Sequence, residues 1–189
     1  QFGEEDLKRE LNLVGAESEK ISQRLEGQQK ELQAASKEYD KARKSVDDNP
    51  DPAPALIEEV EAKRLAQASL EQEGELLNDR LKRLKEMEEF WKLRYRLLSG
   101  KTEKSDIAAL QQQTRQSLEQ FKRDEELGNL RLNSLRNNLA ESEEKARSKA
   151  EADSESKRWL QQQKEALQRN LDVMQDHLAS LAMTRKLHE

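Results

Sequence analysis

The stretch that decides the fold is Phe90-Trp91-Lys92-Leu93-Arg94-Tyr95-Arg96-Leu97-Leu98-Ser99-Gly100-Lys101, where three of the chain's seven aromatic side chains precede a Ser-Gly pair. Glycine after a run of helix formers is a stop, because it takes a left-handed C-terminal cap at no steric cost. Long heptad-patterned segments lie on both sides of this stop. The 189 residues therefore divide at Gly100 into halves, each long enough for one helical hairpin.

Ahead of the stop, a four-three spacing picks out Leu7, Leu11, Val14, Ser18, Ile21, Leu25, Gln28, Leu32, Ala35, Tyr39, Ala42 and Val46. Only Ser18 and Gln28 interrupt the apolar stripe. A heptad held this long predicts a left-handed supercoil against a partner helix, with Asp6 as its N-cap. The run Asp47-Asp48-Asn49-Pro50-Asp51-Pro52-Ala53-Pro54 contains every proline of the chain. Proline lacks a donor and disfavours helix in the residue before it, so Pro50, Pro52 and Pro54 mark a turn at a hairpin tip.

A second helix from Pro54 keeps the same frame through Leu56, Val60, Lys63, Gln67, Leu70, Gly74, Leu77, Leu81, Leu84, Glu88, Trp91, Tyr95 and Leu98. Its first half has a thin, partly polar seam. A further apolar row of Leu76, Met87, Phe90, Leu93 and Leu97 widens its later face. This predicts a hairpin (residues 4–99, tip 47–54) that is two-stranded near the prolines and joins a thicker bundle around Trp91, with Phe90, Trp91 and Tyr95 on the core side and Gly100 as the cap.

Beyond Gly100, Thr102 and Ser105-Asp106 are candidate N-caps for a helix with the stripe Ile107, Leu110, Thr114, Leu118, Phe121, Glu125, Gly128, Leu132, Leu135 and Leu139, and Leu127 and Leu130 as a second row. Large apolar residues vanish between Ala140 and Arg158, then resume at Leu160, Leu167, Leu171, Met174, Leu178 and Leu181, flanked by Trp159, Val173, Ala182 and Leu187. A turn near Ala152-Asp153-Ser154 gives four helices of similar length. An unbroken third helix would give three. The first is the expectation: an all-α, elongated antiparallel coiled coil of two hairpins in one domain, the second hairpin over residues 103–189 with its tip near 150–155.

Composition agrees with long helices. The chain is 33% apolar and 39% charged, with six glycines and three prolines, too polar for a thick globular core and too rich in helix formers for a disordered chain. Acids and bases interleave to a net charge of −5, which speaks for a solvated helical surface and against a nucleic-acid binder. There is no cysteine, hence no disulfide framework and no thiolate chemistry. No apolar run approaches the roughly 20 residues that span a bilayer.

Chemistry-bearing motifs are missing as well. His177 and His188 have no companion ligands at metal spacing, the carboxylates sit among basic neighbours on helix faces, and there is no phosphate loop or nucleophile elbow. The expectation is no catalytic residue, no metal, no cofactor and no small-molecule substrate, with contacts made to protein partners or to further copies through helices. The cluster Lys82, Arg83, Lys85, Lys92, Arg94, Arg96, Lys101 and Lys104 around Trp91 is read as cations at a helix C-terminus, which complement its macrodipole, diluted by Glu86, Glu88 and Glu89.

The aromatic stretch ending Trp91-Lys92-Leu93-Arg94-Tyr95-Arg96-Leu97-Leu98-Ser99-Gly100-Lys101, followed by a restart at Asp106-Ile107-Ala108-Ala109-Leu110, resembles the N-terminal helical region of the larger bacterial small-conductance mechanosensitive channels. The resemblance implies a periplasmic coiled-coil region ahead of membrane helices and pore, attached to the inner membrane through segments outside this sequence. It carries over no pore or gating residue. The alternative expectation is a soluble cytoskeletal or scaffold coiled coil, which would be cytoplasmic.

Overall fold

Proline and glycine bound the first two helices where their backbone chemistry requires. The computed structural model describes residues 2–100, 103–149 and 153–189. Its four helices are α1 (Glu4–Asp47), α2 (Pro54–Leu98), α3 (Lys104–Ser148) and α4 (Ser154–His188). Pro54 opens α2 at its first turn, where the missing N–H would have had no partner. In the preceding turn the Asn49 side chain accepts from Asp51 N–H at 3.2 Å. Gly100 closes α2 with φ of +69°, a conformation other residues avoid.

The chain folds as two hairpins with four long helices, the all-α arrangement expected. The N-caps differ from those expected. Gly3 caps α1, and Asp6 lies three residues in, its carboxylate accepting from Gly3 N–H at 2.9 Å. Glu103 caps α3, with Asp106 accepting from its N–H at 3.3 Å. Thr102 lies outside the described residues, as does Ala152. At α4 the cap is Asp153, whose carboxylate accepts from Ser156 N–H at 2.8 Å and from its hydroxyl at 3.0 Å.

The helices pack side by side in the order α1, α2, α4, α3. Contacts along the middle pair advance together in sequence, Glu58 meeting Gln163, Glu73 meeting Arg169 and Phe90 meeting His188. So α2 and α4 are parallel, the three prolines and Asp153 lie at one end, and Gly100 with Phe2 and His188 lies at the other. At 1.5 Å per residue each of the three longest helices spans about 65 Å.

Every frame position of α1 from Leu7 to Val46 is buried or half-buried, since α1 has one neighbour and needs one stripe. Val14 and Ile21 pack with Leu77, Leu84 and Trp91 in one core, while Leu76, Leu132, Leu135, Leu171 and Met174 form another across α2, α3 and α4. Two breaks in the facing stripes of the first hairpin, Gln28 and Gly74, are matched. Gln28 is buried opposite Gly74 and donates to Leu70 C=O at 2.5 Å, and a Cβ at residue 74 would lie 2.8 Å from its amide.

Two expectations fail. The first hairpin is not two-stranded near its prolines, because Ala55, Glu58, Ala62, Ser69 and Glu73 are all buried and form a second face of α2 toward the other hairpin. These residues are small or charged, so the face is not apolar in sequence. The row of Leu127 and Leu130 is not core: the side chains are 57% and 66% exposed, because α3 is an edge helix with α4 as its neighbour.

Candidate functional site: a seam of buried charge

Two carboxylates of α2 tie the four helices together. Glu58 and Glu73 are each 3% exposed and lie fifteen residues apart, about 22 Å along the helix. Glu58 accepts from Lys145 Nζ of α3 at 2.7 Å, from Lys149 Nζ, and from Gln163 Nε2 of α4 at 2.8 Å. Gln163 also donates to the Glu58 carbonyl at 3.0 Å. This glutamine continues the α4 frame between Leu160 and Leu167, where the apolar stripe breaks.

Glu73 is held from the other side. Arg24 of α1 donates to its Oε1 through Nε at 3.0 Å and Nη2 at 2.8 Å. Arg169 of α4 donates to Oε2 through Nε at 3.2 Å and Nη2 at 2.8 Å, and Nη2 reaches Glu31 of α1 at 3.1 Å. Burial opposes ionisation of both carboxyls, but their donors outweigh it. The Glu58 carboxyl is held at about 2, with Lys145, Lys149 and Gln163 the donors responsible, and that of Glu73 below its ordinary value by Arg24 and Arg169. A buried carboxylate with both oxygens held by donors from other helices is a structural clamp.

Farther along the same face of α2, Arg83 is 8% exposed, and its Nε and Nη2 have no hydrogen-bond partner among the described residues. Burial lowers the affinity of its guanidinium for a proton, while the nearby charges of Asp79, Asp124 and Glu86 favour the cation and that of Arg80 opposes it. On α4, burial and then the nearby charge of Arg83 pull His177 down to about 4, against the opposing influence of Asp79 and Asp124. So His177 is neutral around pH 7.

The residues singled out in the sequence gather at the opposite end from the prolines, except the prolines themselves. Trp91 is 7% exposed. Phe2 stacks on it at 5.6 Å and 16°, and Phe90 meets it edge-on at 5.5 Å. The ring of His188 lies 5.0 Å from Phe90 and 5.2 Å from Phe121. A relay of five rings thus crosses from the start of α1 through α2 and α4 to α3. Tyr95 is half-buried and Gly100 exposed; at the other end Pro50 and Pro54 are exposed and Pro52 half-buried. Within the basic cluster, Lys92 pairs with Glu88 at 2.6 Å and Glu89 at 3.0 Å, and the Arg94 guanidinium covers the rings of Phe2 and Trp91 at 5.2 and 5.4 Å. Lys101 lies outside the described residues.

Comparison with protein-family models, with curated proteins and with solved structures returns no match. Among the described residues there is no group of three or more His, Asp or Glu side chains that could hold a metal ion, and no helix is long and apolar enough to cross a membrane.

Glu58, Glu73 and Gln163 were missed in the sequence, and Arg83, read there as one of the cations at a helix C-terminus, is buried. A usable signal exists for three of them. Ala62, Ala66, Ser69, Glu73, Leu76, Arg80, Arg83, Met87 and Phe90 keep a second four-three frame of α2, with Glu58 one further step of four ahead of it, visible only when small and charged residues are admitted as seam positions.

Proposed function

We propose that the chain is a non-catalytic helical spacer and interaction module, whose finer form is the periplasmic extramembrane part of a mechanosensitive channel. The observation that carries the coarser reading is the pair of buried carboxylates. Glu58 links α2 to α3 and α4, and Glu73 links α2 to α1 and α4, so two hairpins about 65 Å long are held in register and move as one body. Such a body transmits displacement between its ends and presents long solvated faces to partners. The finer form is supported by the resemblance of residues 91–110 to that channel family.

Solution scattering on the wild-type chain and on a Glu58→Ala/Glu73→Ala pair tests the rod. The wild type should behave as a single elongated particle about 70 Å long, and the pair should be broader as the hairpins part. A near-spherical wild-type particle would sink the reading. In the full-length protein, deleting this region should shift the tension that opens the channel while leaving unitary conductance unchanged; a chain without tension-gated current would leave the cytoskeletal or scaffold alternative.

A further inference from the structure

We infer that the trough between α2 and α3 at the Gly100 end joins this chain to a second copy of itself, the two laid antiparallel so that the end of one α2 lies against an earlier turn of the other. The inference deepens the reading of the chain as an interaction module by naming its partner, and rests on that reading. The trough is a cavity of about 390 Å³. Its α2 wall is Glu86, Glu89, Phe90, Leu93 and Arg96, spaced i, i+3, i+4, i+7 and i+10. Its α3 wall is Leu110, Gln113, Thr114 and Ser117, spaced i, i+3, i+4 and i+7. His188, at the end of α4, closes it between Phe90 and Phe121.

Both helices carry apolar positions here that their own chain leaves open. No described residue of α3 ahead of Phe121 is buried. Leu110 and Leu118 are half-buried, and Ile107 is 42% exposed. On the last turn of α2, Leu98 is 59% exposed. Since α2 and α3 each pack on α4, they stand as two ridges with the trough between them. Two such pairs of ridges set face to face make a four-helix bundle, with Phe90, Leu93 and Leu110 of each copy inside it.

Charge selects a second copy and fixes its direction. Along the α2 wall the acids Glu86 and Glu89 come first and Arg96 last, whereas the α3 wall is uncharged. An interface about a twofold axis has to be self-complementary. With the two α2 helices antiparallel, Arg96 of each copy meets Glu86 and Glu89 of the other, and Leu93 lies near the axis. With them parallel, like charges coincide. All three charged side chains are exposed, and Glu89 already shares Lys92 with Glu88, so they set orientation more than affinity. Burial of the apolar side chains supplies the affinity. An anionic lipid surface is opposed by Glu86 and Glu89.

The wall runs about 15 Å along α2, small beside an interface of roughly 800 Å² per partner. Sedimentation equilibrium of the whole chain should therefore show monomer and dimer with a dissociation constant on the order of tens of micromolar. In solution scattering the particle length of about 70 Å should rise to about 120 Å at high concentration, two bodies overlapping by the trough. Arg96→Glu, and separately the pair Glu86→Lys/Glu89→Lys, should each weaken the dimer at least about tenfold, because like charges then face each other across the axis. An equimolar mixture of the two variants should associate within about threefold of the wild type, since every contact then joins opposite charges. A structural role for these residues within one chain predicts no such recovery. The inference is overturned by a chain that stays monomeric at about 500 μM, well above that constant, by a dimer indifferent to the charge variants, or by a mixture that fails to associate. It is also overturned if the variants instead alter binding of a monomeric chain to phosphatidylglycerol vesicles. A monomer that still scatters as a rod removes the junction and leaves the spacer standing, whereas a near-spherical particle removes the spacer as well.

Discussion

Replacing Glu58 by glutamine keeps the volume of the side chain and removes its charge, so it isolates what the carboxylate contributes to the seam. In the folded chain the carboxyl sits at about 2, against an ordinary 4.5. At 1.36 kcal/mol per pH unit this is worth about 3 kcal/mol near neutral pH. Its cations are half-exposed, Lys145 at 39% and Lys149 at 41%. In the variant they swing into water, which keeps the loss at about 2–3 kcal/mol and below the full cost of breaking a dry ion pair. Because the folded value lies below the unfolded one, the stabilisation is complete above about pH 5 and shrinks as the unfolded chain takes up the proton first. It falls to about 1 kcal/mol at pH 3 and vanishes below about pH 2. Urea denaturation followed by circular dichroism, wild type against Glu58→Gln, should show a gap of about 2–3 kcal/mol at pH 7 that narrows to about 1 at pH 3. Glu26→Gln, on the exposed face of α1, should stay within about 0.5 kcal/mol at both. A gap that is negligible at pH 7, or equal at the two pH values, would refute the assignment of Glu58 as an ionised clamp.

Two other sites give independent readings. A Cβ on Gly128 would lie 2.6 Å from Leu178 Cδ2, so Gly128→Ala should lose about 1 kcal/mol, overpacking exceeding the gain in helix propensity; Leu178→Ala should rescue it in a double-mutant cycle, and additive losses would show that the approach is not tight. Proton NMR should place the His177 midpoint near 4, against an ordinary 6.5. Since burial and Arg83 depress it in the folded state, the unfolded chain binds the extra proton between those values, and stability should fall as pH drops through that window. His177→Leu should remove that component, and an ordinary titration near 6.5 would contradict the burial.

Legibility in the sequence followed the number of neighbours each helix has. The α1 stripe from Leu7 to Val46 could be read directly, because one partner asks for one seam. In α2, which touches both α1 and α4, the first seam was legible in Leu70, Leu77 and Leu84. The second was written in the small Ala62 and Ser69 and in the charged Glu58 and Glu73, whose hydropathy signals solvent. Their burial depends on donors supplied from α1, α3 and α4, and a charge that is paired across 49 to 96 residues leaves no local signature. Leu127 and Leu130 erred the other way, since apolar character alone does not supply a neighbour. Gly74 and Gln28 each look like a flaw in a stripe, and only their juxtaposition shows that one makes room for the other. The aromatic relay was half visible, in Phe90 and Trp91, whereas Phe2 and His188 come from the two ends of the sequence.

The parallel run of α2 beside α4 has a kinetic consequence. Each hairpin can zip from its own short turn, gaining contacts close in sequence at small loop-closure cost. The seam brings together groups 87 to 138 residues apart, from Lys145 on Glu58 to Arg169 on Glu31, and gives nothing until both hairpins exist. Docking is thus expected to follow hairpin formation, with stopped-flow circular dichroism showing the slower phase lost in a single-hairpin fragment. Because its bonds are ionic clusters spaced along the length, a mismatched first encounter can slide until Glu58 and Glu73 both find their donors, with charge acting as the vernier that sets the final alignment of two otherwise slippery coiled coils.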